Sequence, residues 1–550
     1  MKHTSVAIIA TTLLSTSYSQ LALTAGHGSQ KVIGQTSALI AEAGLPTVIG
    51  AGSSASDLKD GESANTNFPF AKFKAIATVG EVDATSGLAL TGYPDGQAAW
   101  LADNNTVRVV YQSESYATMG RAPQPETYPW KMSNGVTFTG SHIHTIDYDR
   151  EKFATFMGNN ESAKSMVKGS GKLFNTVYNG FGEIVSTPSH DPSQLAGKWG
   201  NQTRPDGTLV QFKSEFKLSQ ANYFFQSFCG AWYEQANQYG EGMGFADDVW
   251  LTAEEWEIGR MFPAGSSDSA ATLGLASVVV DIANETAYTA PALGQTGYEK
   301  LMPINPGHKD YVVIVAAGYN HGQEPAPNRI YVGMKNRTAD GSRIDYATAS
   351  DRDTFLASNG LLYGKIYGLA LTPETYETLG LKIALDAKMV DDYMKNADAP
   401  NRFEGRFYPT SYQWAGFDQP VAVQDTEMML WEQKDEQPEG YVFFNGDTKT
   451  EHPAVDPSGA PRYFQNMTDE GGLMGFDLGD LGKALAAANG DLPTHLDVSV
   501  VRSVAAVDGA LTLNIGDQFK TVGGDASIHM EEGVAKMVAP DGLYWSKTAD

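Results

Sequence analysis

The sequence predicts an all-β protein, a β-propeller with a few helical insertions. Three observations carry this. The 550-residue chain holds 57 glycines and is 11% aromatic, while long amphipathic helical patterns are scarce. From about residue 73, short strand-like runs recur between Asp-Gly, Asn-Gly and Gly-Asp turns. About 525 residues follow residue 25, and so many short strands over that length suit small antiparallel sheets repeated around an axis. No clean repeat period accompanies them.

The N-terminus reads as an export signal over residues 1–25. Lys2 is its positive end, 6–14 its apolar run, and Ser17, Ser19 and Ala25 are the small residues that follow. The apolar run is too short to span a bilayer. No twin arginine precedes it, and no later stretch is long and apolar enough for a membrane helix. The expectation is a periplasmic or secreted protein with no integral membrane segment after signal removal. Residues 26–72, rich in Ser, Gly, Ala and Asn, form a lead-in, and residues 73–550 a single propeller domain.

Within that domain the strand candidates are 74–79, 97–101, 107–112, 276–282, 311–316, 329–334, 440–444, 496–501 and 510–514. Turns are expected at Asp95-Gly96, Asn134-Gly135, Asp206-Gly207, Asn445-Gly-Asp447 and Asp508-Gly509. The helical candidates are 371–395 and 478–488.

The formal net charge is −26. A surface this acidic repels a phosphate backbone, which argues against nucleic-acid binding, and it suits hard cations such as Ca²⁺. The Gly-x-Gly at 50–52 lacks a following helix and a βαβ setting. Gly169-Ser-Gly-Lys172 lacks the first glycine of a phosphate loop, Met166 standing in its place. No Gly-x-Ser-x-Gly elbow and no EF-hand loop occurs.

The chain has one cysteine, Cys229, so it forms no disulfide within itself. Its thiol is either a buried small hydrophobe or a functional sulfur such as a metal ligand. Downstream, Trp250-Leu-Thr-Ala-Glu254-Glu255-Trp256 sets two carboxylates between large apolar residues. Successive strand residues face opposite ways, so one of Glu254 and Glu255 should face a site and the other the core or a neighbour.

Cys229-Gly230 followed by Trp250-Leu-Thr-Ala-Glu254-Glu255 resembles the secreted alkaline phosphatases of the PhoX type and their six-bladed propeller relatives. In that family a Cys-Ala-Gly-Gly stretch precedes a Trp-Gly-Thr-Trp-Leu-(Ser/Thr)-Cys-Glu-Glu strand. Ala253 stands where the family has its second cysteine. Asp95-Gly96 and 107–114 resemble an early family segment ending in Asn-His-Glu, with Glu114 at the glutamate and Gln112 and Ser113 at the other two positions. Asn328-Arg-Ile-Tyr-Val-Gly-Met-Lys335 is similar to a blade strand of non-phosphatase relatives. Phe417-Asp418-Gln-Pro420 is faintly similar to the family's Arg-Pro-Glu-Asp region.

The resemblance implies metal-assisted hydrolysis of small phosphate esters with iron and calcium as cofactors. Cys229 with Glu254 or Glu255 would hold iron, the glutamates serving also as catalytic residues. Glu114 and Asp95 would be ligands on the calcium side. Thiolate is a soft donor suited to iron, and carboxylates suit both ions.

Two other readings follow from the residues. A non-catalytic, calcium-stabilised extracellular propeller would bind a glycan or another protein. Alternatively His142 and His144, at i and i+2 of a strand-like run, share one face and could hold Zn²⁺ or Fe²⁺ in a different metal hydrolase.

Overall fold

The computed structural model describes mainly residues 93–114, 141–178, 228–255, 277–383, 389–410 and 437–512, with short gaps inside these runs and short pieces outside them. Residues 1–72, apart from the strand pair Val48–Ile49 with Lys72–Phe73, lie outside the described residues, as do the expected signal and most of the lead-in. The fold is mostly β with few helices. Contacts divide the chain into two compact units, Met1–Trp130 with Gly140–Leu173, and Lys131–Thr139 with Phe174–Asp550. No helix among the described residues is long and apolar enough to cross a membrane.

The first unit is built on four antiparallel strands in spatial order β1 (Tyr93–Asp103), β2 (Thr106–Glu114), β3 (Ile143–Asp149) and β4 (Val167–Lys172). Asp103 turns the first hairpin by accepting the Asn105 amide at 2.6 Å. Asp95-Gly96, expected as a turn, lies inside β1, where the register shifts between Pro94 and Gln97. The bulge absorbs the Asp-Gly pair without reversing the chain. Tyr111, Ile146, Tyr148 and Phe156 pack with Met166 as this unit's core.

The second unit contains a five-stranded sheet in the order β6 (Trp232–Glu234), β7 (Val249–Ala253), β8 (Ser277–Asp281), β9 (Thr286–Thr289) and β5 (Thr176–Tyr178). A larger sheet follows the path β10 (Tyr298–Ile304), β11 (Tyr311–Gly318), β12 (Arg329–Met334), β13 (Gly364–Leu371), β14 (Arg402–Pro409), β19 (Leu496–Arg502), β18 (Gly472–Asp477), β17 (Arg462–Met467) and β16 (Ala454–Val455). The short β15 (Val442–Phe443) pairs with β13. The two end strands of the path approach each other, so the sheet is nearly closed and barrel-like.

Every residue of β11 is buried. Tyr311, Val313 and Val315 join one apolar cluster, and Val312, Ile314 and Ala316 the other. Both faces are covered, so this strand reads as a continuous apolar run rather than an alternation. Each fully buried Val or Ile among them contributes about 1.5–3 kcal/mol by burial.

The helix expected over 371–395 is broken. Leu371 ends β13, and Thr372 caps α1 (Pro373–Thr378) by accepting the Thr375 amide. Gly380, at φ +70°, ends that helix, because only glycine adopts this conformation freely. A separate α2 spans Met389–Lys395. The second candidate is α3 (Leu481–Ala487), capped by Asp480. Asp351-Arg-Asp353 forms the first turn of a helix, Asp351–Ser358, capped by Ser350.

Candidate metal centre

Cys229 is positioned by its neighbours on both sides. Phe228 bridges antiparallel to Glu254, just past the end of β7, and Trp232 pairs with Leu251. The Glu254 carbonyl in turn accepts the Tyr298 amide at 3.1 Å. The Cys229 segment, the Glu254-Glu255 segment and the start of β10 therefore run side by side.

Glu299 sits at an irregularity in β10, where the register against β11 shifts between Tyr298 and Lys300. A bulge of this kind re-aims a side chain that regular alternation would place elsewhere. The Glu299 side chain is 1% exposed. Gly318, at the end of β11, makes this approach possible, since a Cβ there would lie 2.6 Å from the Tyr298 Cα.

Gly318 also anchors a third segment. Its amide donates to Thr450 Oγ1 at 2.8 Å, and its carbonyl accepts the Thr450 amide at 3.1 Å. The Glu451 amide donates to the Asn466 carbonyl, and the Lys449 carbonyl accepts the Thr468 amide. These bonds hold Lys449-Thr450-Glu451-His452 extended, with Lys449, Glu451 and His452 reaching toward Glu299 or its neighbours.

The side chains form two halves joined by Glu299. On one side the Cys229 thiol donates to Glu299 Oε1 at 2.6 Å, and His452 Nε2 lies 3.2 Å from the same oxygen. Cys229 Sγ, a Glu299 oxygen and a His452 nitrogen lie within 4.8 Å of one another. On the other side Lys449 Nζ lies 3.2 Å from Glu299 Oε2, 2.7 Å from Glu255 Oε1 and 2.6 Å from Glu451 Oε1. The three carboxylates are buried. Burial works against the Lys449 charge, but Glu299, Glu255 and Glu451 outweigh it and hold the ammonium protonated well above the ordinary lysine range.

The donor set suits a transition metal. Ligand atoms on one ion at bond lengths of about 2.0–2.3 Å are themselves roughly 3–4 Å apart, close to the spacing of Glu299 Oε1 and His452 Nε2. A thiolate beside a carboxylate repels it unless a cation lies between them, and the softness of sulfur with an imidazole favours iron or zinc over calcium. Cys229, Glu299 and His452 therefore fit such an ion.

The residues expected from the sequence are distributed as follows. Cys229 and Glu255 both join this constellation. Cys229 bonds Glu299, and Glu255 enters through Lys449. Glu254 is fully buried beside them and bridges Phe228 through its backbone. Asp95 and Glu114 belong to the first unit, at the same end of the β1–β2 pair, where Tyr93 is opposite Glu114. Phe417-Asp418-Gln-Pro420 lies outside the described residues, and the cation-and-glutamate segment that reaches the site is Lys449-Thr450-Glu451-His452.

Glu299, Lys449, Glu451 and His452 were not singled out by sequence. The signal that points to Lys449 and Glu451 is opposite charge at i and i+2, too common in a chain this acidic to stand out.

His142 and His144 are both buried in the first unit, their rings 5.9 Å apart edge to face, with His144 stacked on Tyr111 at 4.7 Å. Burial pulls the His144 imidazole down to about 3, so it is neutral. The described residues bring no third His, Cys, Asp or Glu donor to this pair.

No family model matches the chain, and no curated protein matches it. Among solved structures it is similar to Pseudomonas fluorescens PhoX in complex with vanadate, a transition state analogue. The likeness has 11% identity and a TM-score of 0.37, covering 85% of this chain and 71% of that one. At that TM-score the likeness is distant and says nothing about individual residues.

Proposed function

We propose that the protein is an exported metal-dependent phosphoesterase, acting on small phosphate esters from a six-bladed β-propeller. The observation that carries this reading is the convergence of Cys229 Sγ, Glu299 and His452 beside Lys449 and the buried Glu255 and Glu451. The sequence resemblance of the Cys229-Gly230 and Trp250–Glu255 segments to the PhoX-type phosphatases supports the same assignment.

In this reading Cys229, Glu299 and His452 hold iron, which supplies Lewis-acid stabilisation of the charge that builds on a phosphoryl group. Glu254 and Glu255 are the carboxylates of the reacting side. Glu255 is held in place by Lys449 at 2.7 Å. Burial of Glu299 and Glu255 excludes water from the carboxylates, which strengthens each charge interaction they make. Calcium belongs with Asp95 and Glu114 of the first unit.

The test is metal analysis together with hydrolysis of p-nitrophenyl phosphate. Purified wild-type protein is expected to contain iron and calcium, and Cys229→Ala to lose the iron and at least 100-fold of the hydrolysis rate, on the order of one lost metal-ligand function. Wild-type protein with calcium alone and no hydrolysis would instead fit a non-catalytic binding propeller. Zinc that disappears on His142→Ala would move the chemistry to the first unit.

A further inference from the structure

The carboxylate half of the site has the make-up of a hard-cation site, yet a cation belonging to the chain already occupies it. Three buried carboxylates, Glu255, Glu299 and Glu451, surround a single point. That point is the Lys449 ammonium, with oxygens at 2.6, 2.7 and 3.2 Å. A calcium ion takes carboxylate oxygens at about 2.3–2.6 Å, so the ammonium stands where such an ion would stand.

We propose that Lys449 is the resident counter-cation of this half, so that the site takes a transition metal at Cys229, Glu299 and His452 and no second ion among Glu255, Glu299 and Glu451. The proposal rests on reading the thiol half as a metal centre.

The physical reason is charge. Three carboxylates gathered out of water repel one another and lose hydration, and they stay together only if a positive charge is built in or bound. An ammonium supplies one charge permanently and cannot be stripped by a chelator. It also fixes geometry. Lys449 ties Glu299 Oε2 while Glu299 Oε1 faces Cys229 and His452, so the bridging carboxylate is oriented before any metal arrives. Lys449 is therefore a positioning residue. Thr450, bonded to Gly318 through both its amide and its hydroxyl, holds its backbone in place.

Lys449→Met removes the ammonium and keeps most of the stem. The three carboxylates then lose the ammonium between them and are expected to take a calcium ion in its place. Calorimetric titration of the chelator-stripped full chain with calcium chloride is expected to find one more calcium per chain in Lys449→Met than in the wild type. Lys449→Arg, which restores a cation, is expected to bind calcium as the wild type does. Equal calcium stoichiometry in Lys449→Met and the wild type overturns the proposal.

If Lys449→Met is recovered unfolded, wild-type crystals soaked in a manganese salt decide it. Anomalous density bound to the Glu255 and Glu451 carboxylates overturns the proposal, and Lys449 in place with no such density sustains it. Iron content of the same preparations is a separate readout. Iron missing from the wild type removes the reading of the thiol half, while the calcium count alone judges Lys449.

Discussion

The Cys229 thiol donates to Glu299 Oε1 at 2.6 Å across a sequence separation of 70 residues. The contact depends on the residue between the two segments. Gly230, next to Cys229, packs so closely that a Cβ there would lie 2.5 Å from the Glu299 carbonyl oxygen and 2.6 Å from His452 Nε2. The glycine is needed for close approach, not for an unusual turn.

Gly230→Ala is therefore expected to push His452 or the β10 backbone away and to loosen the thiol half. Overpacking of this kind costs about 1–3 kcal/mol. Gly158→Ala, where nothing lies within 4 Å of the added Cβ, serves as the matched control. Chemical denaturation and iron content are the readouts. If Gly230→Ala keeps wild-type stability and full iron occupancy, the cluster is not packed as described.

Much of the sheet was legible because its signal is local. The runs 311–316 and 329–334 are apolar on both faces and form β11 and β12. The Trp250–Glu255 stretch was legible as the strand β7 leading into paired carboxylates. Of the side chains gathered around Glu299 and Lys449, Cys229 and Glu255 are ones that the sequence singles out. Glu299 reaches the thiol by a register shift in β10, and a bulge leaves no trace in a hydrophobic pattern. Lys449 and Glu451 depend on Thr450 bonding Gly318, 132 residues away, a contact that periodicity cannot encode. The 371–395 helix failed because Gly380 and the Thr372-Pro373 cap outweigh the helix-forming residues around them.

Glu234 gives the second unit a pH dependence. Its carboxyl is 2% exposed on β6, accepts the Trp232 indole at 2.6 Å, and is pushed by burial up to about 8, against the lowering effect of its bonds to Trp232 and Tyr239. Below the ordinary value of 4.5 both folded and unfolded states hold the proton, and the stabilising contribution is fully present. As pH rises toward about 8 the unfolded chain ionises while the folded one does not, so stability falls by roughly 1.4 kcal/mol per pH unit in that window. Glu234→Gln keeps the shape without the proton. Its urea midpoint is expected to gain on the wild type steadily between pH 5 and pH 8, an interval set by the shifted acid. Parallel midpoint curves for the two proteins would show that Glu234 is not held neutral.

The first unit carries its own test in a buried ion pair. Arg108 on β2 donates to Asp147 on β3 through two bonds, Nε to Oδ1 at 2.7 Å and Nη2 to Oδ2 at 2.9 Å. The strands are adjacent and the residues directly opposite, so the fork meets the carboxylate without bending either backbone. Both side chains are almost fully buried, so the pair brings opposite charges together out of water. Removing one partner takes a bidentate counter-charge away from the other. Arg108→Met or Asp147→Leu alone is expected to cost about 3–5 kcal/mol. The double variant Arg108→Met with Asp147→Leu removes both charges and fills similar volume, so most of that loss should return. The cycle is read by denaturant unfolding, with hydrogen exchange of the β2 and β3 amides locating the change in the first unit. Additive losses in the double variant would mean that the two residues act separately and that the pair does not bind β2 to β3.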